Sequence, residues 1–225
     1  MTIALVRLLQ LASPALPIGG YSYSQGLEWM IDAGVVRDAV TAQSWIGEML
    51  DVVMAHGEAP VVTRLCGAAS QQRWDDFVHW HAWFRASRET SELLAESQQM
   101  GGALGKLLLD LDVADAACRD VLSRCAPLTL PAAYALAARA LGIATTDATA
   151  AYLWSWLENQ VLAAIKAVPL GQVAGQKILL ALGERVWHVA MAAETLDDAD
   201  VASFAPGLAL ASARHETQYT RLFRS

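Results

Sequence analysis

The sequence predicts an all-α protein, a single globular bundle of about eight to ten helices with a C-terminal docking tail. Three observations predict it. Ala and Leu, both strong helix formers, dominate a chain of 225 residues that is 55 % hydrophobic and 17 % charged. Apolar residues return every three or four positions along most of the chain, the period of a helix face. No stretch sustains the apolar–polar alternation of a half-buried strand. No internal repeat or low-complexity segment is present.

The elements follow in order. The apolar start reads as a first helix broken by Pro14 and Pro17. Gly19 and Gly20 permit unusual backbone angles, and Ser22 or Ser24 then caps a helix carrying Leu27, Trp29, Met30 and Ile31. Asp38 caps the next helix, whose face is Ile46, Met49, Leu50 and Val53. Pro60 ends or kinks it, and another starts near Val61. Trp74, Phe77, Val78, His81 and Phe84 form a further stripe. Residues 89–111 are helical again, with Gly101, Gly102 and Gly105 inside. Each glycine costs about 1 kcal/mol against Ala in a helix interior, so these glycines point to close packing.

Residues 114–125 form a short helix, and Pro131 opens another that stops at Gly142. The clearest helix begins at Asp147. Leu153, Leu157, Val161, Ala164 and Ile165 share one of its faces; Ser155, Asn159 and Lys166 share the opposite one. VPLG (168–171) turns the chain into a helix from Gln172 to Ala193, and ETLDDADVASFAPG is a polar linker. The domain division is therefore 1–206 for the helical body and 207–225 for the tail.

The chemical scan is largely negative. The stretch SPALPIGGYSYSQGLEW (13–29) invites a nucleophilic serine at Ser22 or Ser24. A nucleophile elbow, however, needs G-x-S-x-G between a strand and a helix, and neither the second glycine nor the strand is there. The loop reads better as a rigid surface presenting Tyr21, Tyr23, Gln25 and Glu28. His79 and His81 point some 200° apart on a helix, so they cannot share one ion; His81 reads as a core histidine. Cys118 and Cys125 read as buried thiols, and Cys66 has no neighbour. MGGALGKLL lacks the P-loop spacing.

Trp29, Trp45 and Trp187 fall on apolar faces, whereas Trp80 and Trp83 leave their helix's main stripe and suggest a second buried face. A formal net charge of −7 argues against a nucleic-acid-binding face. Arg7 interrupts the apolar N-terminus, which also lacks the basic start of a secretory leader. No run of about 18 apolar residues is free of charge, so a cytoplasmic protein without a membrane contact is expected. The tail runs against the overall charge. Residues 214–225 hold three arginines and one glutamate, a pattern suited to Arg214, His215, Tyr219, Arg221 and Phe223 docking into a partner or back onto the body.

The opening segment LLQLASPALPIGGYSYSQGLEW (8–29) and the closing segment SARHETQYTRLFRS (212–225) resemble the UreF family of urease accessory proteins. ASRET (86–90) and AAIKAVPLGQ (163–172) extend the resemblance through the middle; residues 112–130 are least characteristic. The resemblance implies a non-enzymatic, all-α nickel-insertion chaperone without a cofactor of its own. It would dimerise, bind UreD (UreH in some organisms), recruit the GTPase UreG and serve apo-urease. Nickel binding and GTP would belong to that assembly, with no metal ligand expected in this chain.

By the same resemblance, the tail from Arg214 to Ser225, with Arg214, His215, Glu216, Tyr219, Arg221 and Phe223, orders on UreD. Arg221 is expected to pair with an acidic group of the body. Tyr23, Gln25, Glu28, Lys166 and, more weakly, Gln172 would face UreG. The rival reading is an α-helical serine hydrolase using Ser22 or Ser24; a second rival is a helical protein with an apolar pocket lined by tryptophans.

Overall fold

The computed structural model describes residues 2–225, and they form helices without a strand. In chain order these are α1 (Ile3–Leu11), α2 (Leu27–Asp32), α3 (Ala39–Met49), a π-helical segment (Leu50–Glu58), α4 (Ala59–Ser70), α5 (Trp74–Ala86) and α6 (Ser91–Asp110). There follow α7 (Ala116–Arg124), α8 (Leu130–Leu141), α9 (Thr145–Ala167), α10 (Gln172–Ala193) and α11 (Pro206–His215). Because α3, the π segment and α4 run on without a break, the rods number ten.

Local chemistry sets the boundaries. Asp38 and Thr41 form a reciprocal capping box on α3. Thr90 and Asp115 cap α6 and α7 through their side chains. Gly142 ends α8 at φ 67, the left-handed conformation glycine adopts without strain. Asp147 does not open α9, which starts two residues earlier and keeps that carboxylate in its first turn.

Pro60 behaves differently from the expected break. It sits in the first turn of α4, where its missing N–H is tolerated. The disruption moves upstream into the π stretch, in which Ala59 N–H reaches back to the Met54 carbonyl. Pro60 also leaves the His56 carbonyl, four residues before it, without its α-helical donor. Ala202 N–H supplies that donor at 2.9 Å, so the acidic linker after α10 is tied to the body here.

The core is centred on α4, α8 and α9. Residues 131–138 on α8 are buried around the whole helix, as expected of a rod enclosed by neighbours. Two of the three glycines of α6 are packing sites. A Cβ on Gly101 would lie 2.4 Å from the Thr129 carbonyl carbon, and one on Gly105 would lie 3.1 Å from Leu128; Gly102 faces open space. All three cysteines are buried and free.

Trp80 is buried and Trp83 partly so, which makes the second buried face of α5 internal; the Arg64 guanidinium lies 5.0 Å from the Trp80 ring. Trp187 is 47 % exposed, contrary to its expected place on a buried face. It belongs to an outward stripe on α10 with Val173, Leu180 and Met191, spaced seven, seven and four residues apart. No helix of the described residues is long and apolar enough to cross a membrane.

His81 is a core histidine. Its Nε2 accepts the Thr129 N–H at 3.4 Å, and burial, aided by the Arg85 charge, pushes its pKa down to about 4 from 6.5. Between those values the unfolded chain binds a proton that the folded chain refuses, so His81 makes stability rise with pH across that window. Replacing His81 with Gln is expected to flatten the rise between pH 4 and 6.5 in urea melts. Gly101→Ala is expected to lose about 1–3 kcal/mol through the clash with residue 129. Gly102→Ala is expected to gain about 0.5–1 kcal/mol in the same assay.

Candidate functional site

The loop after α1 and the C-terminal segment, some two hundred residues apart, meet in one place. Pro14 and Pro17 stop helix continuation, and the chain then takes a left-handed step at Gly19 (φ 79) and a 3-10 turn over Gly20–Ser22. Gln25 (φ 52) and Gly26 (φ 77) are both left-handed, which swings the chain into α2. Glycine is required at 26 for a second reason: a Cβ there would sit 3.0 Å from Ala211 Cβ on α11. Neither Ser22 nor Ser24 is the N-cap, which is Gly26. Ser24 Oγ nevertheless accepts the Glu28 N–H at 3.3 Å and donates to the Ser225 main-chain oxygen at 2.5 Å.

Glu28 is the hub. It is buried in the first turn of α2, where a carboxylate suits the helix dipole. Its Oε1 accepts Leu222 N–H at 2.6 Å; its Oε2 accepts Phe223 N–H at 3.0 Å and faces His215 Nε2 at 3.0 Å. The other ring nitrogen of His215, Nδ1, faces Glu92 Oε2 at 2.8 Å, and Arg221 Nη1 donates to Glu92 Oε1 at 2.5 Å.

The lattice of bonds extends along both segments. Ser24 N–H donates to the Ser225 oxygen at 2.7 Å, and Arg224 N–H to the Ser22 carbonyl at 2.8 Å. Ser225 Oγ donates to Glu96 at 2.6 Å, and Gln25 Nε2 to the same carboxyl at 2.8 Å. Trp156 Nε1 donates to Gln25 Oε1 at 2.7 Å, and the Tyr23 hydroxyl to Gln99 at 2.8 Å. Glu216 accepts from the Ser91 hydroxyl at the start of α6. Burial pushes the Glu96 carboxyl up to about 7, against the pull of its Ser225 and Gln25 donors. Burial also raises the Tyr23 phenol.

The predicted residues divide by exposure. Tyr23, Glu28, His215 and Phe223 are buried in the junction, and Gln25 is half-buried there. Lys166, Arg214, Glu216, Tyr219 and Arg221 are exposed around it. Lys166 Nζ lies 5.7 Å from the Tyr21 ring and 5.8 Å from Phe223. Gln172 is exposed at the start of α10 and makes no hydrogen bond to the others. With Leu222 and Arg224 also exposed, the outer face is cationic and aromatic. The polar side of α9 faces this loop as well: Asn159 Nδ2 donates to the Tyr23 carbonyl, and Ser155 to that of Ala12.

Sequence reasoning missed the acceptors on α6. Glu92, Glu96 and Gln99 recur at four and three residues on a helix whose other face is apolar, and that polar stripe was the signal; of the three only Glu96 is fully buried. Neither Ser22 nor Ser24 is hydrogen-bonded to a histidine among the described residues, so the nucleophile–base contact of a hydrolase is not assembled. No three His, Cys, Asp or Glu side chains of the described residues are arranged to hold a metal ion.

A family model described as UreF matches residues 36–183. Three similar proteins carry the name urease accessory protein UreF. That of Azoarcus sp. (strain BH72) is 52 % identical over 99 % of this chain and 96 % of its own length. That of Methylobacillus flagellatus is 49 % identical over 99 % and 98 %. That of Cupriavidus metallidurans is 53 % identical over 98 % and 97 %. The family model ends short of both segments of the junction, whereas these relatives cover nearly the whole chain.

Removing the hub should free the tail. Glu28→Ala leaves the buried Phe223 N–H and the part-buried Leu222 N–H without an acceptor and removes one of the two partners of the His215 ring, a loss on the scale of about 1–3 kcal/mol per buried group. Trypsin is then expected to cut after Arg221 at least about tenfold faster, with helical content retained.

Proposed function

The chain belongs to the UreF family of urease accessory proteins, and on that premise we propose that it is a non-enzymatic adaptor in urease maturation. In this reading it binds UreD (UreH) through the C-terminal segment, recruits the GTPase UreG beside Lys166, and brings both to apo-urease for delivery of nickel. Nickel is cargo of the assembly, and the chain works in the cytoplasm as a homodimer.

The observation that carries the reading is the loop–tail junction. Glu28 and Glu92 spend their acceptors on the tail, Arg221 included, and Glu96 on Ser225 and Gln25, while Lys166, Arg214, Tyr219, Leu222 and Arg224 are left outward. An ordered cationic, aromatic face on an otherwise acidic chain suits an acidic protein partner, because complementary charge steers association. Anchoring in advance lowers the ordering cost that a flexible tail would meet on binding. The outward apolar stripe on α10 supports self-association, since exposed patches of that kind mark protein interfaces.

Deleting residues 214–225 would also strip Glu28 of its donors, so substitutions at exposed residues are the cleaner test. Tyr219→Ala with Leu222→Ala is expected to weaken the complex with UreD about tenfold or more. Lys166→Ala is expected to weaken UreG recruitment by the pre-formed pair. Size-exclusion chromatography with light scattering, run with each partner added in turn, reads both. Unchanged stepwise assembly by these folded variants would remove the docking role from this face.

A further inference from the structure

Glu96 on α6 touches both halves of the junction. Its Oε1 accepts Gln25 Nε2 from the opening loop at 2.8 Å, and its Oε2 meets Ser225 Oγ from the tail at 2.6 Å. We propose that Glu96 is a proton-operated latch, which holds loop and tail together in its neutral form and loosens them on ionising. The latch acts on the attachment of the tail to the body and does not depend on the identity of any partner.

Charge balance is the first argument. Glu96 walls a cavity of about 30 Å³ together with Gln25, Glu58, Arg88 and Tyr152. Glu58, Arg88 and Glu96 are all at least nine-tenths buried, so two buried carboxyls surround a small space with one guanidinium. Arg88 Nη1 donates to Glu58 Oε1 at 2.9 Å, and the Tyr152 hydroxyl donates to Glu58 Oε2 at 2.6 Å. Both donors are thus engaged with Glu58, and Glu96 keeps two neutral ones. A second like charge beside a single cation is disfavoured. With Glu96 neutral, the cluster sums to zero.

The other ionisable neighbours do not change that balance. Tyr23, which faces Glu96 from the loop, donates to Gln99. Arg224 reaches Gln99 at 3.3 Å from the exposed side. Glu92, one turn earlier on α6, is paired with Arg221 and His215. The main-chain oxygen of Ser225 is taken by Ser24 N–H and Oγ.

A proton on Glu96 also fits the contacts. A hydroxyl accepts as well as donates, so Ser225 Oγ can turn to accept from the protonated carboxyl at the same 2.6 Å while Gln25 still donates to the other oxygen. Undocking of the tail withdraws Ser225 and admits water to the carboxyl. In the closed junction burial, with a smaller push from Glu58, raises the carboxyl to about 7 from 4.5, against the pull of Ser225, Gln25 and Arg88. The closed junction therefore holds a proton that the open one gives up. Closure is favoured at low pH and weakens as pH rises through about 7.

Native-state amide exchange tests this at Ser24 and Arg224, whose N–H groups bond to Ser225 and Ser22 across the junction. After correction for the intrinsic effect of pH on exchange, opening is expected to rise about five- to tenfold from pH 6 to pH 8, following the ionised fraction of Glu96. Glu96→Gln keeps a neutral group that donates to Ser225 and accepts from Gln25. It should leave the junction as closed at pH 8 as at pH 6, and more closed at pH 8 than in the unmodified chain. A merely structural role for Glu96 would give a looser junction at both pH values, and any effect of the His215 ring is common to both proteins. Without any variant, NMR titration of the Glu96 carboxyl carbon in the unmodified chain should show a midpoint near 7. Unprotected amides at both pH values, equal opening at pH 6 and pH 8, the same pH dependence in the Gln variant, or a Glu96 midpoint near the ordinary 4.5 would each overturn the proposal.

Discussion

A carboxylate buried at the start of a helix must find donors, and in this protein Glu28 finds them in the C-terminal segment, at Leu222, Phe223 and His215. Two of its three partners are backbone N–H groups, so the contact specifies the path of residues 222 and 223 and not merely their side chains. An unpaired buried carboxylate would cost several kcal/mol. The tail is therefore a structural part of the body. The left-handed pair Gln25–Gly26 exists to make the approach possible, since any side chain at 26 would meet α11.

A second constraint routes the chain to that point. Pro60 cannot donate to the His56 carbonyl, and the linker fills the vacancy through Ala202. The linker is also held by Arg64, which donates to the Leu196 carbonyl and to Asp198. These contacts carry the linker across the body, and Ser212 on α11 then meets Thr90 at the head of α6 at 2.7 Å. A proline in one helix thus fixes where an element about 150 residues later is tied down. The π stretch beside it turns Glu58 inward to Arg88 and Tyr152, giving the core an arginine–glutamate ion pair buried on both sides.

The fold class was legible because helix periodicity and caps are local signals: Asp38 and Gly142 act within their own helices. Pro60 misled because the consequence of a missing N–H depends on what a distant segment offers. Trp187 misled because an apolar stripe on a helix does not declare whether its cover comes from the same chain. In the junction, the aromatic and charged residues of both segments were visible, but their direction was not. Glu28 and Tyr23 looked like surface residues, since nothing local reveals that the tail covers them. Glu92 and Glu96 went unnoticed because a carboxylate on a long helix ordinarily faces water.

The central claim is that the tail is folded onto the body of the isolated chain before any partner arrives. Amide hydrogen exchange of Leu222 and Phe223 in the unmodified free protein measures this most directly. Bonded to Glu28, both amides should be protected to nearly the same degree as the amides of α2 and far more than that of the exposed Tyr219. Exchange of both at the rate of an unstructured peptide would contradict the account and would mean that the Glu28 carboxylate finds its donors only in a complex.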